Sequence, residues 1–205
     1  MKLRGVLGAG IVGVLATIVA PSLAQAASES SPPYDSSFAY SGCQSVVPVV
    51  LLGQHCYVYV DSDTGAFAVI GEGTVGVREA VPVDGQVTTV RAVVDIAGLG
   101  ATTCINGRAT VRVTLGVWVV DRDTGAFLAS GEDVVLVDGS NAPGTSGVGS
   151  VSPTVEMSDQ GELVNGLLKA VVIVENQVDV NQTFSCPVAT GIVTSTGRFT
   201  SITVD

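Results

Sequence analysis

From Val46 onward Val-rich runs follow one another, many of them alternating like strands with a period of two, and a helical period is scarcely found anywhere. That alternation sends successive side chains to opposite faces of a pleated strand. It predicts strands over 46–52, 56–60, 66–70, 74–77, 87–96, 109–120, 134–137, 167–175 and 191–203. Val, Thr, Ile and aromatic residues fill these runs, as suits a half-buried pleated surface. The nearest approach to a helix is the stretch from Met157 to Leu168, and even there Gly161 and Asn165-Gly166 argue for turns.

One segment occurs twice, sixty positions apart. Val60-Asp61-Ser62-Asp63-Thr64-Gly65-Ala66-Phe67 precedes Gly71-Glu72, and Val120-Asp121-Arg122-Asp123-Thr124-Gly125-Ala126-Phe127 precedes Gly131-Glu132. Asp84-Gly85 and Asp138-Gly139 each close a Val-x-Val run and extend the likeness. Two related β units, about 43–98 and 104–205, therefore make one duplicated domain over 41–205. The expected fold is all-β, a single antiparallel sandwich of immunoglobulin-like kind, because strand lengths are uneven and polar edge segments frequent. A closed antiparallel barrel is the alternative, since duplication suits closure. Residues 139–153 are rich in Gly, Ser and Pro and read as a flexible loop.

The N-terminus adds a destination. Lys2 and Arg4 precede an apolar run from Val6 to Ala20, and Ala24-Gln25-Ala26 is a small-x-small cleavage pattern, so 1–26 reads as a signal peptide. Its Ala/Gly/Val-rich composition is bacterial in style. The apolar run is short for a membrane span, which needs about 20 residues. Residues 27–40 read as a polar leader without a packing pattern. A secreted, extracellular protein is expected, one that is envelope-associated or free, with no membrane span in its mature form. About 178 residues remain, enough for one domain with a substantial core.

Charge narrows the partners. The chain carries 9 basic and 19 acidic residues for a net −10, and losing Lys2 and Arg4 takes the remainder to −12. Such a balance excludes nucleic acid and anionic membrane surfaces as natural partners, because both recruit Lys and Arg. Four cysteines, Cys43, Cys56, Cys104 and Cys186, show no C-x-x-C spacing. In a secreted chain an even count points to two disulfides among three connectivities. A local Cys43–Cys56 bridge and a long-range Cys104–Cys186 bridge are the first expectation.

The repeated Asp-x-Asp-Thr-Gly segment invites a calcium reading. With Asp61 as position one of a twelve-residue loop, Asp63 falls at three and Glu72 at twelve; Asp121, Asp123 and Glu132 repeat the set. However, position five is Gly65 or Gly125 rather than a ligand, position six is alanine, and the flanks are β-like. A hairpin explains the same residues: Asp caps backbone N–H groups two or three positions on, and Gly takes the left-handed conformation. Phe67 and Phe127 then restart the strand. Calcium remains the one cofactor the sequence suggests. Gly71-Glu72-Gly73-Thr74-Val75-Gly76 matches G-x-G-x-x-G literally, but no helix follows to meet a phosphate.

Catalytic constellations are sparse. His55 is the single histidine, it directly precedes Cys56, and no G-x-S-x-G elbow accompanies it. Turn carboxylates are numerous, yet no pair stands out as acid and base. Binding chemistry is better represented, because His55, Tyr57 and Tyr59 alternate and share one strand face. An exposed aromatic row stacks on sugar rings or anchors a protein partner. Trp118 aligns with Val58 and is expected on the inner face. Asn181-Gln182-Thr183 fits the glycosylation sequon, relevant only to a eukaryotic source. The sequence thus points to a secreted, disulfide-stabilised, non-catalytic β module that binds a glycan, an envelope component or a protein. An extracellular enzyme, either a carboxylate-based hydrolase or a barrel-type isomerase, is the alternative, and a calcium-stabilised adhesive module the second.

Overall fold

Valine sets the architecture, because its branched Cβ favours extended backbone and packs flat on a pleated surface. The computed structural model describes residues 28–42, 57–102, 107–139, 149–157, 163–180 and 192–205, and among them there is no helix. In chain order the strands are β1 (Ser28–Ser30), β2 (Ser36–Ser41), β3 (Tyr57–Val60) and β4 (Ala66–Ile70). There follow β5 (Gly73–Gly85), β6 (Thr89–Thr102), β7 (Gly107–Asp121) and β8 (Phe127–Gly139). The last four are β9 (Gly149–Val151), β10 (Thr154–Glu156), β11 (Leu163–Val180) and β12 (Ile192–Val204).

All pairings are antiparallel and form two open sheets. Sheet A runs β10-β6-β12-β4-β3, with β1 added on β12 and β9 on β6; sheet B runs β2-β5-β11-β7-β8. The order does not close on itself, so the fold is the sandwich and not the barrel. Its core lies between the inner faces. Phe67, Val69, Val94, Ile96, Phe199 and Ile202 project from sheet A, against Val75, Val77, Val113, Leu115, Leu168 and Val172 from sheet B. Phe67 and Phe199 meet at 5.0 Å between ring centroids with planes 45° apart, a tilted contact of the favoured kind.

The two copies of the repeat fall in different sheets. The first hairpin, β3–β4, belongs to sheet A, and the second, β7–β8, to sheet B. The core therefore lies on opposite sides of two nearly identical sequences. In the first copy Tyr57 and Tyr59 face solvent, and Val58 and Val60 pack on the core. In the second, Val117 and Val119 are buried, so Trp118 projects outward and is half-buried on the outer face. The expected inner-face placement of Trp118 is thus corrected. Alignment transmits the alternation but not its sense, which the sheet decides. Phe67 is buried while its counterpart Phe127 is 65% exposed, beside a bulge in the β7–β8 register.

Two other expectations change. The leader is not free of packing: β1 pairs with β12, β2 pairs with β5, and Tyr34 between them is buried. The Asp35 N–H donates to Glu79 Oε2 at 3.1 Å, and Asp35 Oδ2 accepts the Ala80 N–H at 2.9 Å. These serine-rich strands are held by backbone pairing at sheet edges, which leaves no apolar periodicity to read. Within 139–153, residues 140–148 lie outside the described ones, but β9 and β10 form beyond them. Asp133 Oδ2 accepts the Thr154 N–H at 2.8 Å, and Val151, Val155 and Met157 are buried. Of the stretch from Met157 to Leu168, residues 158–162 lie outside the described ones, and Leu163–Leu168 belong to strand β11.

Glycine is needed in both repeat turns, for different amounts of room. Gly65 has φ of 70° and Gly125 of 69°. A Cβ on Gly65 would also stand 2.3 Å from the Phe199 carbonyl oxygen and 3.0 Å from Pro32 Cγ, whereas one on Gly125 would meet nothing within 4 Å. Gly125→Ala should therefore cost about 1–2 kcal/mol, the left-handed penalty alone. Gly65→Ala should cost clearly more, and equal losses in urea unfolding would contradict this placement of the first turn.

Candidate functional site

The outer face of sheet A carries an aromatic ledge. Strand β3 is the sheet's last strand, and Tyr57 and Tyr59 project from it to solvent, 53% and 42% exposed. Cross-strand register extends each into a row: Tyr57–Ile70–Thr194–Gly100 and Tyr59–Ala68–Thr196–Gly98, running through β4, β12 and β6. Beyond Ile70 and Ala68 the rows shrink to threonine and then to glycine. Two rings about 6.8 Å apart along β3 thus rise at the edge of a shallow floor whose polar groups are threonine hydroxyls.

The repeat turn fixes one end of this ledge. The Asp61 N–H donates to the Ala66 carbonyl at 2.9 Å, and the Gly65 N–H to the Asp61 carbonyl at 2.8 Å. Asp61 Oδ1 accepts the Asp63 N–H at 2.9 Å, and Oδ2 accepts the Thr64 hydroxyl at 2.9 Å. The same Thr64 oxygen accepts the Ala66 N–H at 3.3 Å. Asp, Thr and Gly at these spacings therefore form a relay that closes the turn on itself. The second copy repeats it, with Asp121 Oδ1 accepting the Asp123 N–H at 3.1 Å and the Thr124 N–H and hydroxyl at 2.7 Å each.

These donors hold the Asp61 carboxyl below the ordinary carboxylate range, with the Asp63 N–H first and the Thr64 hydroxyl next; the nearby Tyr59 phenol acts in the same direction. Asp121 is lowered in the same way, chiefly by the Thr124 hydroxyl. Partial desolvation, then the Asp61 charge, pushes the Tyr59 phenol up, so it stays a neutral donor at neutral pH.

The expected residues come together only in part. Tyr57 and Tyr59 share the ledge; His55 lies outside the described residues, as do Cys43, Cys56, Cys104 and Cys186 with their expected bridges. Asp61 and Asp63 sit in the β3–β4 turn, while Glu72 lies beyond the far end of β4. Asp121 and Asp123 sit in the β7–β8 turn, and Glu132 lies along β8 opposite Gly116. A strand thus intervenes where a calcium loop would fold back, and among the described residues no three His, Cys, Asp or Glu groups converge as for a metal. The G-x-G-x-x-G match runs into strand β5.

One exposed tyrosine escaped the sequence reading. Tyr40 on β2 is 69% exposed, on the outer face of sheet B. It lies in the polar leader, where no alternation called attention to it. The carbonyl of Tyr40 and Cγ1 of Val58 both crowd Gly73, where a Cβ would stand 3.1 and 2.6 Å from them. The two sheets therefore approach closely at this edge, with Tyr40 and the ledge tyrosines pointing from opposite faces.

No family model matches the chain, and no curated protein matches it. Among solved structures it is similar to TmCBM61 in complex with β-1,4-galactotriose, at 12% identity over 82% of this chain and 88% of that one, with a TM-score of 0.33. It is also similar to a structure concerning the promiscuous specificity of carbohydrate-binding modules from the β-sandwich superfamily. That likeness has 10% identity over 85% of this chain and 56% of the other, with a TM-score of 0.31. At these scores neither likeness bears on what this chain binds.

The turn carboxylates make stability depend on acid. A folded pKa below the unfolded one contributes stability above the unfolded value and loses it as pH falls through the folded value. For Asp61 and Asp121 the loss belongs below the ordinary 3.8. Thermal melts should therefore fall more steeply below that pH in the native protein than in an Asp61→Asn, Asp121→Asn variant. Parallel acid limbs would contradict the relay.

Proposed function

We propose that this chain is a secreted, non-catalytic β-sandwich module that binds neutral glycan chains along the Tyr57–Tyr59 ledge. The observation that carries this reading is the pair of solvent-facing tyrosines beside a floor of Ala68, Thr194 and Thr196. Aromatic faces suit the C–H surface of a sugar ring, and neighbouring hydroxyls suit its edge. Tyr59 stands two residues before the closed turn at Asp61–Gly65, which anchors that end of β3 and reduces the ordering cost on binding.

Charge supports neutral over acidic glycans, because the mature chain at −12 repels uronic acids and phosphates. The signal-like N-terminus supports secretion, and two disulfides among Cys43, Cys56, Cys104 and Cys186 would staple the exported domain. Envelope association follows where the glycan belongs to the cell wall. A single histidine in the whole chain supports a binding role over hydrolytic chemistry.

Titration calorimetry of the mature protein against a panel of soluble neutral polysaccharides tests the proposal. At least one should bind. Tyr57→Ala and Tyr59→Ala should each weaken it about tenfold, roughly 1.4 kcal/mol, while Tyr40→Ala on the opposite face leaves it unchanged. Absence of binding across the panel, or undiminished binding by the double Tyr57, Tyr59 variant, would overturn it.

A further inference from the structure

Strand β11 is apolar on both faces. Leu168, Ala170, Val172 and Val174 enter the core, yet the outward positions between them include Leu167, Val171 and Ile173. A sheet with one wet face alternates apolar with polar residues, whereas a near-continuous apolar run belongs to a strand covered on both sides. The neighbours on the outer face agree. Register aligns Trp118 with Lys169, Gly116 with Val171, Thr114 with Ile173, and Arg112 with Glu175. On β8, Val134 and Leu136 extend the same rows and are 38% and 57% exposed. On the other side Phe38 lies across Gly76, with the Arg78 guanidinium 4.7 Å above its ring.

We infer that this outer face of sheet B is the interface of a homodimer, in which two copies stack face to face with β11 antiparallel over β11. The order of residues along the strand selects a second copy as the occupant. Facing outward, β11 reads Lys169, Val171, Ile173, Glu175: a cation, two apolar residues, an anion. A two-fold axis lying across the strand at Val172 sets Lys169 against Glu175 of the second copy and Val171 against its Ile173. The same axis acts on β7, where the outward order is Arg112, Thr114, Gly116, Trp118. It sets Trp118 against Arg112 of the second copy, a cation–π partner, and the small Gly116 against Thr114. Each contact occurs twice, as an isologous interface requires.

The area is sufficient. Four strands about 4.8 Å apart, carrying five outward rows about 6.8 Å apart, together with the outward positions Ser36, Phe38 and Tyr40 of β2, span roughly 750 Å², close to what each partner contributes to a standard stable interface. The inference does not depend on the glycan reading, since the ledge lies on the outer face of the other sheet and stays open in this dimer.

Sedimentation equilibrium of the mature protein tests it. At about 50 µM, above the micromolar-to-picomolar range such areas support, the native chain should have twice the mass of one copy. Ile173→Glu should give a monomer. Lys169→Glu and Glu175→Lys should each weaken the dimer tenfold or more, and the double exchange should restore it. Circular dichroism melts of all variants separate dissociation from unfolding. A native chain that is monomeric throughout, or folded single-charge variants that dimerise as well as the native chain, would overturn the inference. So would a face that captures a soluble glycan on a monomer and loses it on Ile173→Glu.

Discussion

Asn176 is the amide on which the alignment of the two sheets depends. It is 2% exposed on β11, and its Nδ2 donates to the Val69 carbonyl on β4 at 3.0 Å. Its Oδ1 accepts the hydroxyl of the fully buried Ser195 on β12 at 2.7 Å. The surrounding core is built largely from valine, and valine faces tolerate sliding past one another. A buried amide does not, because displacement leaves donor and acceptor groups without water or partner, at about 1–3 kcal/mol each. With the Asp133–Thr154 bond between β8 and β10, this buried amide selects a single relation between sheets that hydrophobic burial would leave degenerate.

Both outer faces inherit that selection. Val69 points inward between Ala68 and Ile70, and Ser195 points inward between Thr194 and Thr196; those four outward residues are the floor beside the tyrosines. On the other sheet Asn176 follows Glu175, the anionic end of the outward row on β11. Pinning Asn176 thus sets the floor of the ledge and the register of the apolar face together. The paired repeat turns then finish the edges. The first turn is wedged against Phe199, while the second is tied to β11 through Arg122, whose backbone N–H and guanidinium donate to the Asn165 and Gly166 carbonyls, with Phe127 exposed beside it.

Most of the strand framework was legible because short Val-, Thr- and aromatic-rich runs bounded by turn residues are a local signal. The expected run 66–70 is β4 itself, and 109–120 and 191–203 each lie within two residues of the ends of β7 and β12. The hairpin at Asp61 was legible for the same reason, since Asp, Thr and Gly act within five residues. What the local signal lacks is direction. Trp118 and Tyr57 belong to matching copies of one pattern, and only membership of different sheets decides which residues of each copy face the core. Strands β1 and β2 were illegible because edge strands held by backbone pairing need no apolar stripe. The outer face of sheet B had a readable sign in the consecutive apolar residues of β11, but its meaning depends on knowing that β11 is the central strand of five.

Tyr57 and Tyr59 are the proposed contact surface of a binding module. Side-chain oxidation footprinting of the mature protein, with and without a saturating soluble neutral polysaccharide, addresses it residue by residue. Both tyrosines should oxidise readily in the free protein and be protected in the complex, with Tyr40 equally reactive in both states. Tyr57 and Tyr59 that remain fully reactive while the glycan is bound would contradict it and move the contact surface elsewhere on the sandwich.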